Sequence, residues 1–296
     1  MKNETKNNKV KDLLDDLHKS VDDFFNSDKW ANYLKFSSKF ITRSANNQLL
    51  IWFFGGEDTA LVMGYKQFIT KLNRLVVACV VCRAIANKNC SCDERTPPVR
   101  IPQLAPMTYK KTNEKGEEEE KLFFRVVYVF KYSDTEQIDD KPYIEPSSIV
   151  EKIDVDFEDT EDYIQAFTKI IEDNKFELSF QNLEEDLGGY CSFSTNEIVI
   201  NRNNSRTHQL KTMIHEIGHM FAHSPEELGN ERRPRKLAEV EAESIAYVVA
   251  NYIGLDSSDY SIGYVTSWSQ NEEFVLAKSV NTVNKIATKI TKLLTD

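Results

Sequence analysis

No stretch of this 296-residue chain approaches the roughly 18–20 consecutive apolar residues of a membrane-spanning helix, so no integral membrane protein is expected. The opening residues, Met1-Lys2-Asn3-Glu4-Thr5-Lys6, lack the apolar centre of a secretion signal, which sets the expectation of a cytoplasmic protein. No internal repeat is visible, so repeat architectures are set aside. Histidine is scarce, with 5 in the whole chain. Cysteine is also sparse at 5, and 4 of these crowd into Cys79, Cys82, Cys90 and Cys92, a C-x2-C-x7-C-x-C spacing. Thiolates at close spacing bind zinc. The apolar run Leu75-Val76-Val77-Ala78-Cys79-Val80-Val81-Cys82 and a reducing compartment favour buried free thiols instead.

Against that scarcity, His215, His219 and His223 fall within nine residues on one apolar helical stretch, Thr212 to His223. Side chains four apart leave the same helix face, so the imidazoles of His215 and His219 can reach one cation. Glu216 sits beside the first histidine, where it can reach a metal-bound water. This is the H-E-x-x-H pattern of zinc metallopeptidases. Catalytic zinc needs a third protein ligand and an open position. Leu237 to Ala250 is a breaker-free helix former carrying Glu239 and Glu243 on one face and Glu241 on another. We assign Glu239 as the ligand and Glu243 as the group orienting a ligating histidine, with the reverse assignment left open. Glu241 is the least favoured of the three. His223 reads as a helix-end residue, because the glycine and histidine of the metzincin spacing are absent. The competing reading of the glutamates is a solvated acidic helix face.

Net charge is −10, unevenly spread: residues 1–112 carry 18 Lys and Arg against 11 Asp and Glu, the remainder 19 against 36. A basic first half hints at nucleic-acid contact. A helix from Ser27 or Asp28 interleaves Trp30, Tyr33, Phe36 and Phe40 with Lys35, Lys39 and Arg43. Stacking on bases is one use of such aromatics, and a hydrophobic core is the favoured one.

The length suggests two domains. Helices are expected over 10–25 and from Arg43 to Gly55-Gly56. Ala60 to Phe68 suggests a short strand and turn, Arg74 to Cys82 a strand, and Val99 to Tyr109 a strand broken by Pro102 and Pro106. Glu117 to Glu120 reads as a hairpin tip, Leu122 to Phe130 as a strand, and Ser133 to Glu158 as a linker. Then follow a helix (159–174), a strand (176–180) and a hairpin turning at Thr195-Asn196, placed to hold an extended peptide by strand addition. The metal helix starts at Ser205 or Thr207, and a long helix, 271–294, closes the chain.

His215-Glu216-Ile217-Gly218-His219 followed by Glu239-Val240-Glu241-Ala242-Glu243 resembles the ImmA/IrrE-type zinc metallopeptidases. With Glu243 to Val249 and Ser261 to Trp268 included, the pattern is closer to ArdC-type antirestriction proteins. The order of Ser44-Ala45-Asn46-Asn47-Gln48, Gly64 to Phe68, Leu72-Asn73-Arg74, Phe124 to Phe130 and Ser133 to Glu136 is similar to their N-terminal domain. Leu75 to Pro98 departs from it, being longer and cysteine-rich, and Asp134 stands where glutamine is usual.

The resemblance implies an α+β protein: an N-terminal α/β domain binding single-stranded DNA (1–145), then a zincin-like metallopeptidase domain (146–296). It implies Zn2+ as cofactor, a mobile-element setting and protection of incoming DNA from restriction. Lys35, Lys39, Arg43, Asn46, Asn47, Lys66 and Arg74 are the DNA-binding candidates. Glu216 is the expected general base and Tyr264 the candidate oxyanion partner. Protein or peptide substrates, a restriction enzyme or a repressor among them, are the expected further partners. Two alternatives stay open: a non-catalytic DNA-binding module with a structural metal, and an ImmA-like protease that cuts a repressor.

Overall fold

A computed structural model of the chain describes residues 11–15, 17, 27–85, 89–112, 118–146, 160–229, 233–255 and 276–295. It is an α+β protein that divides into two compact units. The first comprises Met1–Asp23 and Asn46–Glu151, the second Phe24–Ala45 and Lys152–Asp296. The expected contiguous halves, 1–145 and 146–296, differ from this division by one helix.

That helix is α1 (Ser27–Lys39). Trp30, Tyr33, Leu34, Phe36 and Phe40 are all buried, while Lys35, Lys39 and Arg43 are exposed. Trp30 Nε1 donates to Ser244 Oγ at 3.1 Å, deep in the second unit. The aromatic stripe is therefore core, as its helical spacing favoured.

In the first unit, α2 (Ala45–Gly55) ends at Gly56, whose φ of +92° suits glycine. Strand β1 (Val62–Met63) follows, and then helix α3 (Tyr65–Leu72) occupies the place expected to be a turn. Gln67 Oε1 accepts from the Gly64 N–H at 3.0 Å and starts that helix. Strand β2 stops at Val76 (Arg74–Val76) and pairs antiparallel with β5 (Thr135–Gln137), which lies inside the expected linker. Strands β3 (Ile101–Thr112) and β4 (Glu118–Lys131) form a long antiparallel ladder with the order β1-β4-β3. Pro102 and Pro106 do not break β3. It is an edge strand, and residues four apart aim their missing N–H the same way, toward the unpaired side. Glu118 to Glu120 belong to β4, so the acidic run is strand rather than tip. Met63, Phe68, Leu72 and Val76 form a buried cluster under β4 residue Phe130.

The second unit sets a three-stranded sheet, β6 (Glu177–Gln181), β7 (Gly189–Ser192) and β8 (Glu197–Asn201), against helices. The order is β6-β8-β7, with β6 parallel and β7 antiparallel to β8. Central β8 is buried through Ile198, Val199 and Ile200, as a near-continuous apolar strand should be. Helix α4 (Thr160–Asp173) packs on α5 (Arg206–Ala222), and α5 packs on α7 (Arg235–Tyr252). The short α6 (Pro225–Leu228) links them. Helices α1 and α8 (Leu276–Leu293) both lie on α7, which makes α7 the centre of the unit. Among the described residues, no helix is long and apolar enough to cross a membrane.

Candidate metal centre

Helix α5 begins where Ser205 Oγ accepts from the His208 N–H, and it ends with His223 as its C-cap. Its crossing with α7 is close because Gly218 has no side chain. A Cβ there would stand 3.4 Å from both Cα and O of Ala242. That approach brings the α7 glutamates over the α5 histidines.

The convergence is tight. His215 Nε2 and His219 Nε2 lie 3.1 Å apart, and Glu239 Oε2 lies 3.5 Å and 3.4 Å from them. Three donor atoms that mutually close form one face of a tetrahedron around a cation. Two imidazoles with one carboxylate match the three-ligand, open-position set of hydrolytic zinc centres. Hydrogen bonds from His215 and His219 hold the Glu239 carboxyl far below the usual carboxylate range, against its partial burial. Burial alone would lower His215; Glu239 and Glu243 overcome it and carry its pKa up to about 10. A divalent cation would take the place of that proton.

The groups behind the two imidazoles fix their orientation. His215 Nδ1 is 3.0 Å from Glu243 Oε2, so Glu243 holds the ring with Nε2 facing the site. Behind His219 stands a longer relay. His219 Nδ1 is 3.0 Å from His223 Nδ1, and His223 Nε2 is 3.1 Å from Glu241 Oε2. Glu241 is 0 % exposed, and Ser279 Oγ donates to its other oxygen at 2.9 Å. Arg233 Nε lies 3.2 Å from Oε2 as its counter-charge. Burial keeps the pKa of His223 low, so its ring is neutral and relays one hydrogen bond. With His219 Nε2 free to ligate, its Nδ1–H donates to His223, whose Nε2–H donates to Glu241.

His223 and Glu241 were thus undervalued in the sequence. Glu241 does point away from the metal face, but away is inward, toward a histidine. The available signal was a lone acid within a helix otherwise apolar on that side, paired with a histidine eight residues past His215.

Glu216 is 6 % exposed, and burial pushes its carboxyl pKa up. The charges of His215 and His219 and a hydrogen bond from the Cys191 backbone N–H oppose that rise. Glu216 shares with His215, His219 and Glu239 a cleft of about 1140 Å³, walled by Gly189, Tyr190 and Cys191 of β7. The Cys191 thiol is pushed up to about 12 by burial and by Glu216, so it stays protonated. Tyr264 lies outside the described residues.

The DNA-binding candidates are divided between the two units. Lys35, Lys39 and Arg43 belong to the second unit; Asn46, Asn47, Lys66 and Arg74 belong to the first. Asn47 grips the β3 backbone with both amide atoms, at Leu104 N (2.7 Å) and Leu104 O (3.1 Å). Arg74 turns onto Thr135 and lies over the Tyr132 ring at 4.5 Å. Asn46 Oδ1 is buried without a hydrogen-bond partner among the described residues, and Lys66 is exposed.

The helix pair and its sheet define the class of this part of the chain. Residues 173–257 match the Peptidase_M78 family, described as the IrrE N-terminal-like domain. A stretch of 82 residues is 33 % identical to an uncharacterized Bacillus anthracis protein, pXO2-81/BXB0111/GBAA_pXO2_0111; it covers 28 % of this chain and 14 % of that one. The structure is similar to crystal structures of the antirestriction ArdC protein from the R388 plasmid. The metal-free form matches over 85 % of both chains at 15 % identity. The Mn(II)-bound form matches over 97 % of this chain and 98 % of that one at 16 % identity. The TM-score is 0.49 in both cases.

Proposed function

We propose that this chain is a zinc-dependent peptidase, carried on a protein of a mobile genetic element that binds single-stranded DNA and counters restriction. One observation carries the catalytic part: Nε2 of His215, Nε2 of His219 and Oε2 of Glu239 close on one another beside a buried Glu216. When bound, the cation supplies Lewis acidity and brings the pKa of water down to roughly 7. Glu216 takes the proton of the attacking water and passes it to the leaving amine. Its burial raises its basicity toward that task. Glu243 and the His223–Glu241 pair hold the two imidazoles in their ligating tautomers. Edge strand β7, walling the cleft, receives an extended peptide by strand addition. Tyr264 is the candidate partner of the tetrahedral oxyanion.

The test is Glu216→Gln in the full chain. Candidate restriction enzymes and repressors are incubated with each protein, and cleavage is read by mass spectrometry. Hydrolysis is expected to fall by about 10²–10⁴-fold with the metal content unchanged. Full activity in the variant would overturn the reading. Protection of incoming DNA is measured in restricting cells beside it. Protection that survives Glu216→Gln would assign antirestriction to DNA binding alone, through Lys35, Lys39, Arg43 and Lys66, which expose their charge.

A further inference from the structure

The apolar run ending at Cys82 is not a core strand. Strand β2 stops at Val76, and Val81 is 67 % exposed. The chain instead folds back on itself: the Ala78 N–H donates to Ala84 O at 2.6 Å and the Cys79 N–H donates to the same oxygen at 3.3 Å. Arg83, directly after the second cysteine, has φ +61°, a left-handed conformation that a long side chain rarely adopts. The turn therefore aims Cys79 and Cys82 at a common point. A second loop brings Cys90 and Cys92 to the same point and is tied down where the Val80 N–H donates to Thr96 O at 2.8 Å.

The four Sγ atoms all lie within 4.8 Å of one another. Cys79 and Cys92 stand 3.8 Å apart, and Cys82 and Cys90 stand 3.5 Å apart. A tetrahedron with Zn–S bonds of about 2.3 Å has edges of roughly 3.8 Å. Sulfur pairs at disulfide distance would instead be at about 2.0 Å. The geometry points to a second metal centre, a closed tetrathiolate site for Zn2+ formed by Cys79, Cys82, Cys90 and Cys92. We propose that it is structural, because four protein ligands leave no open position for substrate.

Its consequence is local. Arg83 reaches from the knuckle to β5 and its approach, donating to Glu136 Oε1 (2.5 Å), Ser133 O (2.7 Å) and Thr135 O (2.7 Å). Thr135 also receives Arg74. The metal would hold the left-handed turn that places Arg83, and so fasten the cysteine-rich insertion to the β2–β5 pair. Loading releases the protons of the thiols that are not already ionised.

The test uses the full chain with the first site silenced, His215→Ala/His219→Ala, purified without oxygen and loaded with Co2+. One cobalt per chain is expected, with the strong sulfur-to-metal charge transfer of four thiolates. Cys90→Ser/Cys92→Ser in that background should abolish the band, while Cys191→Ser should leave it. In the unaltered protein, X-ray absorption at the zinc edge should show sulfur neighbours at about 2.3 Å beside the nitrogen and oxygen shell. Thiol labelling should leave four cysteines protected until a chelator is added. No cobalt in the silenced chain, no sulfur shell, or a non-reduced mass four hydrogens lower, meaning two disulfides, would each overturn the proposal.

Discussion

Glu241 is a carboxylate with no exposure, held by a histidine, an arginine and a serine. Removing one member of such a set strands the others. Glu241→Ala is expected to cost on the order of 3–5 kcal/mol, because Arg233 and His223 lose the partner for which they were desolvated. For a unit of this size that is a fall in melting temperature of roughly 10 °C or more, readable by calorimetry. Glu243→Ala should behave differently. Glu243 is partly exposed, so stability changes little, but His215 loses its orientation. Metal affinity, read by chelator competition, should drop by about 10–100-fold. At this scale the sequence was most legible in the convergence of His215, His219 and Glu239. The four-residue spacing of His215 and His219, and of Glu239 and Glu243, follows from helix geometry alone. The His223–Glu241 contact was less legible, since it depends on how two helices cross.

The crossing of α5 and α7 turns on Gly218. A Cβ at this position would just touch Ala242 and Ile245, but a branched or long side chain would have to push α7 outward. Gly218→Leu is expected to destabilise by about 1–3 kcal/mol through overpacking. It should also withdraw Glu239 from the histidines, so metal content falls while the helical circular dichroism persists. Elements with strong periodicity, such as α4, β4 and α7, were readable from their residues. The misread ones share a cause, which is that a local cue was overridden by its surroundings. Gly64 and Gln67 started a helix where a turn was expected. Pro102 and Pro106 were tolerated because β3 has a free edge. The Leu75–Cys82 run looked like a buried strand, and Arg83 in a conformation usually reserved for glycine gave no warning of a knuckle.

Taken whole, the molecule is not two beads in sequence order. Helix α1 falls along the chain between the two segments of the first unit but is core of the second, with Trp30 bonded to Ser244 and the Thr288 hydroxyl bonded to Ile41 O. A fragment spanning residues 152–296 should therefore bind a dye specific for exposed apolar surface and melt well below the full chain. Trp30→Ala in the intact protein is expected to cost about 3–5 kcal/mol, checked by denaturant titration. A domain boundary drawn at one point in the sequence could not capture this, because composition reports nothing about long-range exchange of a helix. The arrangement also constrains biosynthesis. An aromatic-laden α1 leaves the ribosome some 200 residues before α7, its docking surface, is made. At translation speeds of about 5–20 residues per second, its apolar stripe must wait on the order of ten seconds or longer for the surface that covers it.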